Sequence, residues 1–373
     1  MTRILLIIPS LQKGGAERIV IDIVRELRKK QFVQVYLVVF QNKIDYEVED
    51  IADLIHIIPS KVVLSAYKTN KSDVKDLQKF ITTFNPDIIH THLFEAEIVS
   101  RQCYFPSAKW YSHCHDNMQQ FRNFGFDTLF SKKLATNFLE KRFLFKCYKK
   151  NGGTRFIAIS NDTLSYFENT AQPYSVTRLL NAINYSRFLN KKTRNGAEEI
   201  IHLINVGSFV DKKNQTFLID VALVLFNWGF PFHLHLLGDG VNKTKIREKI
   251  SNLGLEKCIS LLGNVENVET HLEHANIYLH SATYEPLGLV LIEAMAAGLP
   301  VITLDGKGNR DLIIEGENGY MIFENNPVLF ANKIISLWNK KAEYNRVSVF
   351  AQKYAKQFDI SLYIENLLNI YNT

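Results

Sequence analysis

The feature that most constrains this chain is a repeated order. A short, wholly apolar run is followed by a glycine-rich or polar turn, an amphipathic stretch and another apolar run. The first such series reads as strands at Ile4–Pro9, Val33–Phe40, Leu54–Ile57, Asp87–His90, Lys109–Cys114 and Arg155–Ile159. Helices are predicted between them, one running to about Arg28 and one from about Ser72 to Phe84. Strands that are apolar on both faces belong to parallel sheets covered by helices on each side. The order restarts near residue 200, with strands expected at Ile200–Gly207, Phe232–Leu237, Ile259–Gly263, Asn276–His280 and Pro300–Leu304. Between the two series, residues 184–198 are polar and without an apolar period, which marks a linker. The expected architecture is α/β: two doubly wound, Rossmann-like domains, 1–190 and 191–360. Residues 361–373 form a closing helix that can pack on either domain, including back on the first. Ligands of such domains bind beyond the carboxyl ends of the strands, here facing a central cleft.

Composition supports two ordinary cores: 373 residues, 46% hydrophobic and 22% charged. The apolar runs are far shorter than the roughly 20 residues needed to cross a bilayer. Met1–Leu5 reads as the start of a buried strand, with no cleavage pattern after it. Four scattered cysteines, Cys103, Cys114, Cys147 and Cys258, fit a reducing compartment better than a disulfide framework or a cysteine zinc site. A cytoplasmic location is therefore expected. The net charge of +6 is uneven: residues 1–195 carry 29 Lys and Arg against 18 Asp and Glu, the remainder 15 against 20. A basic first half points to an anionic partner. Nucleic acid is disfavoured, because no helix-turn-helix, zinc or aromatic RNA-binding signature is present. Residues 131–150 hold seven basic side chains and one acid, interleaved with Phe138, Phe143, Phe145 and Tyr148. Such a helix either lies on an anionic membrane, at the inner leaflet, or packs its aromatics into the first domain.

The strongest chemical signal is Glu285-Pro-Leu-Gly-Leu-Val-Leu-Ile-Glu293, after a strand ending near His280 and opening a helix to about Ala297. Gly288 lets a ligand approach the backbone, and the amides of Gly288, Leu289 and Val290 form a helix start that favours phosphate. A carboxylate beside a diphosphate would repel it, so Glu285 and Glu293 must face hydroxyl groups.

The stretch from Ser281 to Val301 resembles the EX7E signature of glycosyltransferase family 4, whose fold is GT-B, and further pieces agree in order along nearly the whole chain. The resemblance implies a retaining, metal-independent transferase using a nucleotide-diphosphate sugar, with UDP the commonest donor. Glu285 would contact the transferred sugar, Glu293 the ribose, and the Gly288–Val290 amides the diphosphate. Gly14-Gly15-Ala16-Glu17-Arg18 resembles the family's glycine loop, in which Gly15 lets backbone pass close to donor and acceptor. Asn205-Val206-Gly207-Ser208 through Lys213 resembles its phosphate-binding segment. Lys213 matches the family lysine, whereas Ser208 stands where an arginine is usual, so one cation must serve for two unless Arg310 assists. Of Ser112-His113-Cys114-His115-Asp116, His115 is the preferred counterpart of the histidine that touches donor sugar and phosphate, with His113 second. His90 and His92 read as structural. Gly238 and Val265 belong to strand-end loops that lie beside the nucleobase in relatives. Glu285, His115 and Lys213 are thus the expected catalytic residues. No metal or cofactor is expected, since no DxD-type motif is placed for phosphate. The implied acceptor is a hydroxyl of a glycan or lipid-linked glycan in surface-polysaccharide or lipopolysaccharide synthesis. A UDP-sugar 2-epimerase-like enzyme and a non-catalytic nucleotide-sugar-binding protein are the alternatives.

Overall fold

The computed structural model describes residues 1–64, 71–190 and 199–373, and the chain divides into two compact units. The first comprises Met1–Asn181 together with Ile360–Thr373; the second is Ala182–Asp359.

In the first unit the strands are β1 (Thr2–Ile8), β2 (Val33–Val39), β3 (Ile55–Ile57), β4 (Lys61–Val63), β5 (Lys71–Asp73), β6 (Ile88–His92), β7 (Lys109–Cys114), β8 (Arg155–Ala158) and β9 (Val176–Arg178). Its helices are α1 (Gly15–Arg28), α2 (Lys75–Phe84), α3 (Phe94–Ser100), α4 (Lys132–Lys150) and α5 (Asn161–Thr170). In the second unit α6 (Tyr185–Phe188) precedes β10 (Ile201–Val206), α7 (Gln215–Asn227), β11 (Phe232–Leu237), α8 (Lys243–Asn252), β12 (Ile259–Gly263) and α9 (Val268–His274). Then come β13 (Ile277–His280), α10 (Leu289–Ala296), β14 (Val301–Leu304), β15 (Gly319–Ile322), α11 (Pro327–Asn339) and α12 (Lys341–Ala355). The closing helix α13 (Ile360–Asn372) belongs to the first unit.

The first sheet runs β3-β2-β1-β6-β7-β8-β9 and the second β12-β11-β10-β13-β14-β15, with every pairing parallel. Central strands such as β1 and β14 are buried on both faces because both faces are covered. Ile4–Ile8 of β1 and Val301–Leu304 of β14 are all buried. Each sheet reverses direction of growth once, at β1/β6 and at β10/β13. These switch points are where adjacent loops diverge and leave room for a ligand.

Three details differ from the sequence reading. The helix expected from Ser72 begins at Lys75, because Lys71–Asp73 pairs antiparallel with Lys61–Val63. Lys71-Ser72-Asp73 offers no apolar side chain to a helix face, and the first buried position of α2 is Leu77. The chain passes to the second unit at Ala182, earlier than residue 191, because Ile183 N–H donates to Phe358 O (3.0 Å). Residues 185–188 of the expected linker are helical, capped by Asn184, whose side chain accepts from Arg187 N–H; residues 191–198 lie outside the described residues. Finally, the short edge strands β9 and β15 were not anticipated.

Candidate active site

In the second unit the switch point gathers most of the expected donor-site residues. At the end of β10, Gly207 N–H donates to Leu237 O (2.9 Å), and Gly238 N–H continues the ladder to Gly263 O (2.8 Å). A Cβ on Gly238, where φ is +139°, would sit 2.1 Å from Gly207 O, so only glycine permits this approach. Ser208 follows Gly207, and its carbonyl accepts from Gln215 Nε2 (3.1 Å), a buried side chain at the start of α7. Half-buried Val265 follows β12.

Lys213 lies in the loop between β10 and α7, and two bonds tie that loop to the end of β13. Ser281 Oγ donates to Lys213 O (2.8 Å), and Thr283 N–H donates to Lys212 O (2.9 Å). This brings the Lys213 ammonium into a hydrogen-bonded ion pair with Glu285 Oε2. His280 Nε2, 1% exposed at the end of β13, lies 3.1 Å from the same oxygen. Burial alone would raise the Glu285 carboxyl. The charge of Lys213 and the contact of His280 outweigh it and hold the group down to about 2. Glu285 is therefore a buried carboxylate that stays ionised.

The backbone around Glu285 is equally fixed. Glu285 N–H donates to Gly306 O (2.7 Å), and Gly308 N–H donates to Glu285 O (3.0 Å). Between those glycines Lys307 has φ +75° and ψ −77°, with a Gly308 N–H to Gly306 O bond of 3.1 Å. This is the rare, strained form of γ-turn. Buried Asn309 braces it, accepting from Gly306 N–H (2.9 Å) and donating to Thr303 Oγ1 and Leu304 O (both 2.9 Å). A Cβ on Gly308 would fall 1.8 Å from Pro286 O.

Gly288, at φ +97°, caps α10 with no side-chain cap. The amides of Leu289 and Val290 occupy its first turn, where N–H groups lack intrahelical partners. Glu293 is half-buried one turn further along. Arg310 is held by Asp305, at 2.8 and 2.5 Å, so its guanidinium is already committed to a carboxylate. Sequence reasoning missed His280 and Asn309. A histidine closing an apolar strand, five positions before Glu285, was the signal for the first; nothing distinguished the second.

In the first unit, Gly15 opens α1 and is exposed. Gly14 before it donates from N–H to Tyr46 Oη (2.9 Å) and accepts from the same hydroxyl (2.8 Å). At the other side of that switch point stand four histidines on one sheet face. His90 and His92 alternate along β6, His113 lies on β7 and His115 just past it. His113 Nε2 bonds Asn181 Oδ1 (3.2 Å), its Nδ1 faces His90 Nε2 (3.1 Å), and His90 Nδ1 bonds Tyr371 Oη of α13 (2.6 Å). His92 Nδ1 bonds His115 Nε2 (3.0 Å). Burial pushes all four pKa values down, His113 to about 4. His115, 9% exposed, is the most accessible of the four.

The basic segment forms α4, capped by Ser131. Phe145 and Tyr148 pack into the core beside Phe121 and Phe156, and Phe138 meets Phe124 at 5.2 Å. Phe126 and Phe130, just before the helix, are more than three-quarters exposed and lie 5.3 Å apart. Among the described residues no helix is long and apolar enough to cross a membrane.

Comparison with known proteins agrees with the two-unit fold. Residues 13–187 match the family described as Glycosyltransferase Family 4, and residues 187–354 match Glycosyl transferases group 1. The poly(ribitol-phosphate) alpha-N-acetylglucosaminyltransferase of Staphylococcus aureus is 28% identical over 54% of this chain and 41% of its own length. The poly(glycerol-phosphate) alpha-glucosyltransferase of Bacillus subtilis is 31% identical over 36% of this chain and 20% of its own length. This chain thus matches less than half the length of either relative. The crystal structure of Anabaena Alr3699/HepE in complex with UDP and glucose superposes with a TM-score of 0.79 over the whole of both chains at 18% identity, a likeness of fold.

Proposed function

We propose that this chain, which has the GT-B fold and whose two halves match glycosyltransferase family models, is a retaining glycosyltransferase that moves a sugar from a UDP-sugar to a glycan or lipid-linked hydroxyl. The observation that carries this reading is the buried, ionised Glu285 held by Lys213 beside the glycine-capped start of α10. An ionised carboxylate only accepts hydrogen bonds, so Glu285 suits sugar hydroxyls. An ammonium has three N–H donors, and Lys213 spends one on Glu285. The others are free in principle to meet a diphosphate oxygen, together with the Leu289 and Val290 amides. Gly207, Ser208, Gly238 and Val265 form the adjoining backbone wall for the nucleotide, and Glu293 takes the ribose.

In the reaction the bond from anomeric carbon to phosphate oxygen breaks and the diphosphate leaves with the electron pair. The acceptor oxygen attacks from the same face, and its proton passes to the departing phosphate. Stabilising the growing negative charge is the main catalytic term, and here it falls to Lys213 and the helix start rather than to a metal. His115 and the Gly15 loop are assigned to the sugar and acceptor side. The surface-polymer setting follows from the activities of the two relatives, which glycosylate poly(ribitol phosphate) and poly(glycerol phosphate). The basic, phenylalanine-tipped α4 region is assigned to an anionic membrane face that presents the acceptor.

A thermal-shift panel of UDP, GDP, ADP and their common sugars tests the donor. UDP and one UDP-sugar should raise the melting temperature, since a ligand that binds only the native form stabilises it. No shift with any of them would overturn the reading, as would conversion of the donor to its 2-epimer without an acceptor.

A further inference from the structure

We propose that His90, His92 and His113 form a binding site for a divalent transition-metal ion of the zinc type, separate from the groups assigned to the donor diphosphate. One ring nitrogen from each of the three lies within 4.8 Å of the others. One pair, His90 Nε2 and His113 Nδ1, is 3.1 Å apart. Two imidazoles on a tetrahedral ion, each at about 2.0–2.1 Å, place their nitrogens about 3.3 Å apart. On His92, Nδ1 is already against His115 Nε2, which leaves Nε2 for an ion, and that atom is buried with no hydrogen-bond partner. A buried polar atom left unpaired costs roughly 1–3 kcal/mol, so it calls for an explanation, and an ion supplies one.

The outer contacts fit as well. Metal-bound histidines direct their second nitrogen to a partner that fixes the ring. Here His90 Nδ1 is against Tyr371 Oη, His113 Nε2 against Asn181 Oδ1, and His92 Nδ1 against His115 Nε2. The proton count is consistent throughout. His113 donates from Nε2 to the Asn181 carbonyl oxygen, which leaves Nδ1 a lone pair. With an ion present, His90 donates from Nδ1 to the tyrosine oxygen and His92 from Nδ1 to His115, leaving Nε2 of each as a ligand. Without the ion, His90 Nε2–H points at His113 instead. Loading therefore moves one proton across the His90 ring and neutralises nothing else. Three neutral imidazoles favour zinc, cobalt, nickel or copper over magnesium or calcium. A water completes the fourth position.

The site also reaches His115. With His92 forced to donate, His115 Nε2 must accept, so its Nδ1 carries the proton. The ion thereby sets which nitrogen His115 offers outward and makes His92 a positioning residue.

The test uses the full chain, free of any affinity tag and stripped with a chelator. A second histidine group complicates it: His202, His233 and His235 adjoin on β10 and β11, so all measurements use the His233→Phe background. With Zn2+, elemental analysis after gel filtration should give about one ion per chain, a loading that raises the melting temperature. X-ray absorption at the zinc edge should show a shell with three imidazoles. His92→Phe keeps a ring of similar shape but removes the orphaned nitrogen, and should weaken zinc binding at least about tenfold. Three outcomes overturn the proposal: substoichiometric zinc, an oxygen-dominated shell, or unchanged binding in His92→Phe. The absorption measurement needs no ligand variant, so it decides the matter even if His92→Phe fails to fold.

Discussion

Glu285, Lys213 and His280 behave as one unit, and single changes within it should not be equivalent. We expect Glu285→Ala to reduce turnover by orders of magnitude while leaving UDP affinity within a few-fold, and Glu293→Ala to weaken donor binding instead. Steady-state kinetics combined with titration of UDP separates the two. Equal losses of affinity in both variants would remove the assigned division of labour. Lys213→Ala strands a buried carboxylate, so it should destabilise the second unit by roughly 3 kcal/mol and raise the Glu285 pKa from about 2. Chemical denaturation at pH 7 measures the first effect. Double replacement with Glu285→Gln should recover part of the loss, because no unpaired charge then remains. Gly288→Ala places a methyl 2.9 Å from Leu291 Cδ1 at φ +97°. It should cost about 1–3 kcal/mol through backbone strain and contact. The lysine, the two glutamates and Gly288 were legible in the sequence because their spacing after a strand is itself informative. The γ-turn at Lys307 was not, since a lysine at positive φ is imposed by its neighbours: the Asn309 brace and the press of Gly308 against Pro286.

At the scale of elements, what could be read ahead was whatever is buried on both faces. Strand β1 stands where the continuous apolar run Ile4–Ile8 stands, because a central parallel strand has no solvent face to encode. The edges gave no such signal. Val176-Thr-Arg178 is three residues long with two exposed, and Lys61–Val63 and Lys71–Asp73 together carry four polar side chains against two apolar ones. Their pairing is a consequence of neighbours already in place. The α4 region divides along its own length: Phe145 and Tyr148 are core, while Phe126 and Phe130 face outward beside Lys132 and Lys133. We predict flotation with vesicles containing anionic lipid at low salt, reduced in a Phe126→Ser/Phe130→Ser double variant without loss of melting temperature. Absence of flotation by the unaltered protein would leave α4 as a solvated helix.

For the molecule as a whole, the four buried histidines make a prediction about acid. Their folded pKa values lie below the unfolded value of about 6.5, so the unfolded chain takes up protons first as pH falls. The stability they allow is complete above about 6.5 and is lost progressively toward the folded value of His113, about 4. Each imidazole that must stay neutral costs about 1.4 kcal/mol per pH unit over that range. The first unit should therefore unfold at lower temperature at pH 5.5 than at pH 7.5, and replacing His113 by Phe should flatten the dependence. Calorimetry across that range checks it, and a pH-independent transition would contradict it. The second unit holds depressed histidines as well, His235 at about 4 with His233 and His280 below their usual value, so it too should lose stability below about pH 6.5, and the depressed carboxyl of Glu285 adds a further loss below about pH 4.5.

The closing helix has a consequence for the order in which the molecule is made. Residues 182–359 are an insertion into the first unit, which regains its last segment only at Ile360. Tyr371 then bonds His90, and Lys109 Nζ reaches the Tyr371 carbonyl at 3.1 Å. During synthesis the second unit emerges whole and can close first, while the earlier-made first unit waits for the segment that finishes it. Chains interrupted before residue 360 should accumulate with a finished second half and an incomplete first, a state that limited proteolysis of stalled ribosomal products would reveal.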